Sequence, residues 1–398
     1  MKRKLLFVCV SLGLGGSERC MTEMLRNIDL TRFEVTLLAL IPVENQNQIP
    51  EGIRVINGYT GFALCDAPMR QFVPWALRHG KFGLLARKSL YWYKVMFKKA
   101  DFSCSFWESF IRDIPELEES YDVTIGYGPG LASFFAMDKV HDGGKKILWV
   151  NTNLVRAHFD LKKHRRLYDQ ADHTVAVCNN LANDMVGYYQ EIKDKISVYY
   201  DMLDIEGIKQ AGKAYVADYP QNQKNKILTV GRICEAKALH LAVEAAAILK
   251  ANAQDFHWYI LGDGSDRPML EARIVDLDVA DRVTLLGALR NPYPWFAGCD
   301  IYVQTSVYEG SCTTISEALI FSKPVVTTNI DVAPEKIFHG KNGLICQMTG
   351  EDIAKKIQTL LEQPEKVKNM EEYIRETSLF CGNQIEQFYS LVELLLSE

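Results

Sequence analysis

The feature that most constrains the fold is an alternation of short β-branched runs with longer amphipathic stretches along almost the whole chain. Because helices between such strands cover both faces of a parallel sheet, the alternation predicts an α/β fold. Strands are expected at Leu5–Val10, Glu34–Leu40, Arg54–Ile56, Asp122–Tyr127, Lys146–Val150, Thr174–Cys178, Ile196–Tyr200, Lys226–Val230, His257–Leu261, Arg282–Leu286, Ile301–Gln304, Pro324–Thr327 and Gly343–Cys346. Helices between them include Leu239–Lys250 and Asp352–Leu361.

The alternation restarts after Asp201–Lys226, a polar stretch that contains DYPQNQKNK. A chain of 398 residues has room for two or three domains. We therefore predict Rossmann-like domains at 1–204 and 205–378 with a cleft between them. The helical tail within Glu371–Leu396 is expected to cross back, from about residue 379 to 398, and pack on the first domain.

The composition excludes several other classes of protein. Hydrophobic residues at 48% and charged residues at 24% argue against disorder, and a net charge of −5 argues against a general nucleic-acid binder. The ten cysteines form no CxxC pair, and several lie in apolar runs, which indicates buried thiols in a reducing cytoplasm. MKRKLLFVCV resembles a signal peptide, but its apolar run breaks after Val10, and no run reaches the roughly 18–20 residues that span a bilayer.

The first motif is a glycine loop, Gly13-Leu-Gly15-Gly16-Ser-Glu18, between a predicted strand and a helix. Glycines let the backbone approach a ligand, and a helix N-terminus favours an anion. A dinucleotide fingerprint would end on a third glycine, where this chain has Glu18, so binding of NAD is disfavoured. An ordinary tight turn remains an alternative.

Two further motifs follow strands of the second half. Arg232 and Lys237 lie five residues apart at a strand end, where they could clamp a diphosphate without a metal, or form a solvated pair. Glu309 and Glu317 flank the segment Ser311–Thr314, whose amides would form a helix N-terminus suited to phosphate. One carboxylate could bind sugar hydroxyls and the other ribose hydroxyls.

In this order and spacing, VGRICEAK, ILGDGSD, RVTLLG and YPWFAGCDIYVQTSVYEGSCTTISEALIFSKPVV resemble the retaining glycosyltransferases of family 4, which have the GT-B fold. The resemblance covers Lys226–Cys346, extends to GGSER at Gly15–Arg19, and fades between Tyr59 and Phe110. It includes glycosyltransferases of bacterial capsule and exopolysaccharide synthesis. Members of the family transfer a sugar from a nucleotide diphosphate donor with retained configuration and without a metal or cofactor.

The resemblance implies roles for matching residues. Arg232 and Lys237 would hold the donor diphosphate, Glu309 would contact the donor sugar near its reacting carbon, and Glu317 would bind the ribose. The remaining donor-binding positions would be Gly15, Gly16, Gly262, Asp263, Ser311, Cys312, Thr313 and Thr314. A front-face, oxocarbenium-like route is usually proposed for this family, with the diphosphate helping to take the acceptor's proton.

Three positions depart from the family pattern. Asn151 replaces a histidine that many members carry, and His158 is only a distant substitute for it. Ser311-Cys312 replaces an aromatic-glycine or glycine-proline pair, which leaves the donor identity open. Asp331-Val332 replaces a glycine pair in a loop, where we expect little effect.

The segment from Ala67 to Ala100 has eight Lys or Arg residues and no Asp or Glu. Aromatic residues alternate with these cations at Phe72, Trp75, Phe82, Tyr91, Trp92, Tyr93 and Phe97. The pattern is typical of a peripheral enzyme on an anionic membrane. A solvated helical hairpin whose aromatics pack inwards is the alternative, and a basic groove for an anionic acceptor fits either.

These observations favour a cytoplasmic hexosyltransferase of the GT-B fold, peripheral on the inner face of the plasma membrane. Its donor would be a nucleotide sugar, with UDP preferred over GDP, and its acceptor a glycan or a lipid-linked glycan of a surface polysaccharide. Three alternatives remain: a nucleotide-sugar epimerase, a catalytically silent nucleotide-sugar-binding module and, least favoured, a nicotinamide oxidoreductase.

Overall fold

The computed structural model describes residues 2–13, 15–42, 49–59, 62–141, 143–220, 223–377 and 384–397. The chain divides into two compact units: the first is Met1–Met202 with Asn383–Glu398, and the second is Leu203–Gly382. Each unit contains one parallel sheet with helical connections, which confirms the predicted α/β class with two Rossmann-like units. The domain boundaries predicted after residues 204 and 378 lie two and four residues from the unit boundaries.

The first unit has a seven-stranded sheet in the order β3-β2-β1-β4-β5-β6-β7. Its strands are β1 (Arg3–Cys9), β2 (Phe33–Ala39), β3 (Arg54–Asn57), β4 (Val123–Tyr127), β5 (Lys145–Val150), β6 (His173–Ala176) and β7 (Ile196–Val198). Its helices before residue 202 are α1 (Gly16–Asn27), α2 (Phe62–Asp66), α3 (Met69–Arg78), α4 (Phe82–Lys98), α5 (Phe102–Phe110), α6 (Leu131–Asp138), α7 (Leu161–Gln170) and α8 (Asn179–Tyr188). The central strands are continuous apolar runs because helices cover both faces.

The second unit has a six-stranded sheet in the order β10-β9-β8-β11-β12-β13. Its strands are β8 (Lys226–Val230), β9 (His257–Leu261), β10 (Val283–Gly287), β11 (Ile301–Gln304), β12 (Val325–Thr328) and β13 (Gly343–Cys346). Its helices are α9 (Ile205–Ala211), α10 (Leu239–Ala251), α11 (Arg267–Asp276), α12 (Tyr293–Gly298), α13 (Thr313–Ile320), α14 (Ala333–Lys336), α15 (Gly350–Glu362) and α16 (Pro364–Glu376).

The C-terminal helix, α17 (Gln384–Ser397), belongs to the first unit. The Tyr389 hydroxyl donates to the Asn27 carbonyl at 3.0 Å and accepts from the Asp29 amide at 2.7 Å. The Tyr389 ring stacks on Phe33 with centroids 5.3 Å apart. These contacts attach α17 to β2 and to the turn before it.

Every predicted strand overlaps an observed strand, and the ends differ by at most two residues. The polar stretch Asp201–Lys226 contains α9, which Asp204 caps through the Gly207 amide at 2.8 Å. The predicted helical tail contains the end of α16 and most of α17, and residues 378–383 between them lie outside the described part of the chain.

In each sheet, the order in which successive strands are added reverses at one strand pair. This pair is β1 with β4 in the first unit and β8 with β11 in the second. Ligands of open parallel sheets bind beyond the carboxyl ends of the strands at such a switch point. The glycine loop follows β1, and the two site motifs of the second unit follow β8 and β11. Among the described helices, we find none with the length and apolar character needed to cross a membrane.

Candidate active site

The site in the second unit is built on the neighbouring strands β8 and β11, which pair in register at Ile227 and Ile301. The segment after β8 contains Lys237, and the loop after β11 contains Glu309. A hydrogen bond of 2.9 Å from the Val307 amide to the Ala236 carbonyl holds the two segments together. The switch point therefore brings residues 72 positions apart in sequence into contact.

Lys237 and Glu309 form an ion pair at the centre of this site, since Nζ of Lys237 donates to Oε1 of Glu309. Gln304 Nε2 and Ser306 Oγ donate to the same oxygen at 3.0 and 2.6 Å. Within the described residues, Oε2 of Glu309 receives no hydrogen bond. The carboxylate is thus fixed through one oxygen while the other is available to a ligand.

Lys237 stays protonated although it is mostly removed from solvent. Burial alone would lower the pKa of Lys237, but the adjacent Glu309 carboxylate outweighs it, so the pKa lies above its usual value. Lys237, whose side chain is only 19% exposed, therefore keeps its proton and its positive charge at neutral pH. Its position is fixed, because two further groups, Gln304 Nε2 and Ser306 Oγ, hold the Glu309 carboxylate that orients it.

The N-terminus of α13 carries backbone donors without acceptors. Its N-cap, Cys312, has a left-handed backbone with φ 50° and makes no side-chain capping bond. In the described part of the chain, no acceptor receives the N–H groups of Ser311–Thr314. Unsatisfied N–H groups at the positive end of a helix are suited to bind an anion.

Lys336, at the end of α14, adds a cation that the sequence did not indicate. Its Nζ lies 3.2 Å from Ser311 Oγ, 2.7 Å from Ser316 Oγ and 3.4 Å from the Cys312 carbonyl oxygen. No carboxylate among the described residues pairs with it. A cation beside the positive end of a helix is electrostatically unfavourable until an anion binds.

Glu317 lies in the second turn of α13 and is buried. The Tyr293 hydroxyl donates to Oε1 of Glu317 at 3.2 Å. A separate chain of hydrogen bonds joins the start of α13 to Glu309, because Thr314 Oγ1 donates to Gln304 Oε1 at 3.0 Å. The two predicted carboxylates therefore occupy different environments, one in the loop and one inside the helix.

Gly262 and Gly264 permit a close backbone approach between the segments after β8 and β9. Gly262 has φ 147°, and a Cβ there would lie 1.8 Å from the Gly231 carbonyl oxygen. A Cβ on Gly264 would lie 2.1 Å from the Ile233 carbonyl oxygen. No other residue fits these positions, so the contact places Asp263 beside the segment that carries Arg232.

Arg232 is exposed, and its guanidinium makes no hydrogen bond or ion pair within the described residues. The two predicted clamp cations therefore differ, since Lys237 is held by Glu309 and Arg232 is unconstrained. The role of Arg232 in holding a diphosphate stays a prediction.

In the first unit, the glycine loop leads into α1 as predicted, with Gly15 as N-cap and Gly16 as the first helical residue. Asn151 follows β5 and lies across from Gly128, where a Cβ would be 3.7 Å from its Nδ2. His158 is exposed with φ 60°, and within the described residues its ring makes no hydrogen bond, ion pair or stacking contact. The position after β5 therefore carries the amide of Asn151 and not a histidine.

One group of described side chains has an arrangement that could hold a metal ion, Asp101, Cys104 and His164. Asp101 instead caps α5 through the Cys104 amide at 3.0 Å and accepts from the Asp160 amide at 2.7 Å. Burial lowers the pKa of His164, which favours the neutral ring. These contacts explain the cluster as part of the core of the first unit.

Comparisons with known proteins identify the family of the second unit. The sequence profile of the family described as "Glycosyl transferases group 1" matches residues 216–377, a span that contains β8 to α16 and both site motifs. Residues 216–377 belong to the group 1 glycosyl transferases. The resemblance inferred over Lys226–Cys346 lies wholly within this glycosyl transferase region and is confirmed.

A curated relative of this glycosyl transferase region comes from Campylobacter jejuni subsp. jejuni serotype O:2. It is named N-acetylgalactosamine-N,N'-diacetylbacillosaminyl-diphospho-undecaprenol 4-alpha-N-acetylgalactosaminyltransferase. The two sequences are 31% identical over 199 residues, which is 49% of this chain and 52% of the relative. The chain spans about half the length of the first curated relatives that it matches.

Solved structures show that the GT-B fold extends over the whole chain. Anabaena HepE, crystallised with UDP and glucose, is similar with a TM-score of 0.68 and 18% identity over 100% of both chains. WaaG, described as a glycosyltransferase involved in lipopolysaccharide biosynthesis, has a TM-score of 0.61 and 15% identity over 98% of this chain and 99% of WaaG. At these identities the similarity shows the fold, and the predicted fold class is confirmed.

Sequence reasoning missed Gln304, Ser306 and Lys336. Gln304 ends a predicted strand and Ser306 follows it, so a polar pair directly after an apolar run at the switch point was a readable signal. Lys336 follows a different strand, β12, and reaches Ser311 across 25 sequence positions. No local pattern marks it.

Proposed function

We propose that this protein is a glycosyltransferase that moves a hexosyl or N-acetylhexosaminyl unit from a nucleotide diphosphate sugar to a glycan or lipid-linked acceptor. UDP is the preferred nucleotide and GDP the second choice. The transfer retains the anomeric configuration and needs no metal or cofactor. The enzyme acts at the inner face of the plasma membrane in the synthesis of a surface polysaccharide.

The observation that carries the proposal is the uncapped N-terminus of α13. Four successive N–H groups from Ser311 to Thr314 lack acceptors among the described residues, and Lys336 adds positive charge beside them. They follow β11 at the switch point, where Lys237 is also anchored. Amides and cations in this arrangement neutralise a diphosphate, which is the charge that a metal would otherwise offset.

The remaining residues bind different parts of the donor. Glu309 offers its Oε2 to hydroxyls of the donor sugar, and Glu317 binds the ribose from inside the helix. Arg232 and Lys237 hold the diphosphate, and Gly262 and Asp263 lie beside the nucleotide. Gly15 and Gly16 of the first unit cover the phosphates and the sugar.

In the reaction, the bond between the anomeric carbon and the diphosphate oxygen breaks, and the acceptor oxygen bonds to that carbon from the same face. The departing diphosphate accepts the proton of the acceptor hydroxyl, so no histidine is required at Asn151. Lys237 and the α13 amides stabilise the negative charge that develops on the diphosphate. Relatives support this reading, since HepE is described with UDP and glucose and the Campylobacter protein with an undecaprenol-linked acceptor.

The first experiment is a thermal-shift screen of UDP, GDP, their common sugar derivatives and NAD, with EDTA present. A ligand that binds only the native state raises the melting temperature by mass action. We expect a shift with UDP and one UDP-sugar that EDTA does not remove. A shift of the melting temperature with NAD alone would contradict the proposal. The absence of a shift with every nucleotide tested would contradict it as well.

Incubation with the identified donor then separates the enzymes that share this fold. A transferase forms product only when acceptor is present, whereas an epimerase converts the donor alone. A silent module binds the donor and forms no product with any acceptor. Isolated lipid-linked glycans and free oligosaccharides are the acceptor arms of the assay.

Three glutamate variants test the site. Glu309→Gln should decrease transfer at least about 100-fold and change UDP affinity much less, because it contacts the sugar and acts on the diphosphate only through Lys237. Glu317→Gln should chiefly weaken UDP binding, by about tenfold, because it acts on the ribose. Glu376→Gln, at an exposed position of α16, is the matched control and should retain both. Wild-type transfer by both site variants would refute the assignment.

A further inference from the structure

Helix α4 has apolar side chains on two opposite faces. Its inner face, with Leu84 and Tyr91, packs in the first unit, and the Tyr91 ring lies 5.9 Å from the ring of Phe106 and 5.6 Å from that of Phe110 in α5. These contacts account for one side of the helix. They leave the other side exposed in the structure.

Apart from Ser89, the outer face of α4 is apolar along its whole length. At about 100° per residue, its members fall within about 120° of the helix circumference. They are Phe82, Ala86, Ser89, Leu90, Tyr93, Met96 and Phe97. The exposed fraction is 63% for Phe82, 55% for Leu90, 59% for Met96 and 66% for Phe97. Large apolar side chains this exposed, in one row, indicate an interaction surface.

Two of the eight cations in this segment are held by other residues of the first unit. Lys88 is buried, and its Nζ donates to the carbonyls of Cys65 and Ala67 and lies 4.3 Å from the Phe72 ring centroid. Arg87 forms a salt bridge with Asp113 at 2.8 Å. Both tie the hairpin of α3 and α4 to the rest of the first unit.

The other six cations make no ion pair with any described residue: Arg70, Arg78, Lys81, Lys94, Lys98 and Lys99. On the helix surface, Lys94 lies along one edge of the outer face, and Lys81 lies towards the other edge, beside Trp92. Lys98 lies further round the helix, but its Nζ reaches to 6.0 Å from the ring centroid of Tyr93 in the outer face. An apolar row between unpaired cations, with Tyr93 in it and Trp92 beside it, is the pattern of a helix that lies in a membrane interface.

We propose that the outer face of α4, together with these six cations, is a docking surface for an anionic lipid bilayer. The apolar row enters the boundary between headgroups and acyl chains, and the cations bind the lipid phosphates. The charge identifies the occupant, because residues 67–100 include eight cations and no acid. A second copy of the chain would bring the same cations against each other, which opposes pairing through this face.

This inference rests on the proposed function only for the role of the docking surface, which is to hold the enzyme where a lipid-linked acceptor lies. Vesicle binding requires neither donor nor transfer. Failure of the donor-binding screen and failure of vesicle binding are therefore separate results.

The test is co-sedimentation of the full chain with vesicles of phosphatidylcholine that contain about 30 mol % phosphatidylglycerol, and with pure phosphatidylcholine. We expect binding to the anionic vesicles and at least about tenfold weaker binding to the neutral ones. Raising the salt to about 1 M should weaken anionic binding, because the screening length falls to about 3 Å.

Paired variants test the face itself. F82S/F97S should decrease the partition coefficient at least about tenfold with an unchanged melting temperature, because both side chains are exposed. M269S/V275S removes apolar side chains of similar exposure, 61% and 71%, from α11 in the second unit, and should bind like the wild type. Equal losses in both pairs would overturn the proposal.

A charge variant completes the test. K94Q/K98Q/K99Q should lose preference for anionic vesicles, whereas K355Q/K366Q/K368Q, in α15 and α16, should retain it. Absence of binding to either vesicle would overturn the proposal. A wild-type dimer that F82S/F97S dissociates, without vesicle binding, would assign the face to a second copy instead.

Discussion

At the scale of single residues, the candidate site shows how a largely buried lysine keeps the positive charge that binding of an anion requires. Lys237 keeps its proton because Glu309 lies against it, and Glu309 is held by Gln304 and Ser306. Breaking such a pair leaves an uncompensated charge, so the arrangement is rigid as well as charged. A rigid cation suits a reaction in which negative charge appears at one fixed oxygen.

Lys336 should contribute to nucleotide binding at a cost to the ligand-free protein. Lys336→Met should weaken UDP affinity about tenfold, because an anion loses a charge-assisted contact beside the α13 amides. The melting temperature without ligand should stay the same or rise, because a cation leaves the positive end of a helix. Calorimetric titration and thermal unfolding measure the two effects.

Lys323→Met is the control for Lys336→Met, since Lys323 lies just beyond the opposite end of the same helix. It should keep wild-type UDP affinity. Equal affinities for both variants would remove Lys336 from the site.

Cys312 should be strained by its backbone. It has φ 50°, and burial, reinforced by Glu309, raises the pKa of its thiol to about 12. Cys312→Gly and Cys312→Ala both remove the buried sulfur, but only glycine adopts the left-handed conformation freely. The glycine variant should therefore be more stable than the alanine variant by about 1 kcal/mol. Urea unfolding of both measures this, and equal stabilities would show that the position is unstrained.

At the scale of elements, the strands were predictable because each carries its own signal, an apolar β-branched run in a sheet covered on both faces. The partners within the site were not, because Lys237, Glu309 and Lys336 come from segments that follow three different strands. Their contacts depend on the strand order, and sequence periodicity does not specify it. The capping residue Asp204 was a local signal for α9 that the surrounding polar residues obscured.

The face of α4 lies between these cases. Its apolar residues recur at helical spacing, so two apolar faces could be predicted from the sequence. The sequence does not predict which aromatic residues pack inwards. Phe72 and Tyr91 do so because Phe72 contacts Lys88 and Tyr91 contacts α5, whereas Phe82 and Phe97 are exposed.

The strand β6 should make the stability of the first unit depend on pH. Burial, helped by the nearby Lys195, lowers the pKa of His173 to about 4, and its Nε2 lies 2.8 Å from Ser197 Oγ in β7. Between pH 6.5 and 4 the unfolded chain therefore binds a proton that the folded chain does not, so stability falls as the pH falls. One such group contributes at most about 1.4 kcal/mol per pH unit, and less when part-exposed.

His173→Gln should decrease this pH dependence, because glutamine does not titrate. Urea unfolding of both proteins at pH 7, 5.5 and 4.5 gives the comparison, with each value compared at about 25 °C. His141→Gln, at an exposed position, is the control and should keep the wild-type slope. Parallel slopes for all three proteins would show that His173 does not set the pH dependence.

At the scale of the whole molecule, the first unit is discontinuous in sequence, because α17 returns to it after the entire second unit. Its attachment is local and specific. Phe388 lies with its ring 6.1 Å from that of Phe7 in β1, and Tyr389 contacts Phe33, Asn27 and Asp29. The fold of the first unit therefore depends on the last residues of the chain, whereas the glycosyl transferase region of the second unit has its own core.

The two units should accordingly respond differently to changes in α17. F388A/Y389A removes two buried rings and the hydrogen bonds of the Tyr389 hydroxyl, which should destabilise the first unit by several kcal/mol, since a buried Phe→Ala change alone costs about 3–5 kcal/mol. Amide hydrogen exchange read by mass spectrometry should show faster exchange in β1 and β2 and unchanged exchange in β8 and β11. UDP should still protect α13, because its proposed contacts lie mainly in the second unit. Uniformly faster exchange in both sheets would show instead that the units unfold together.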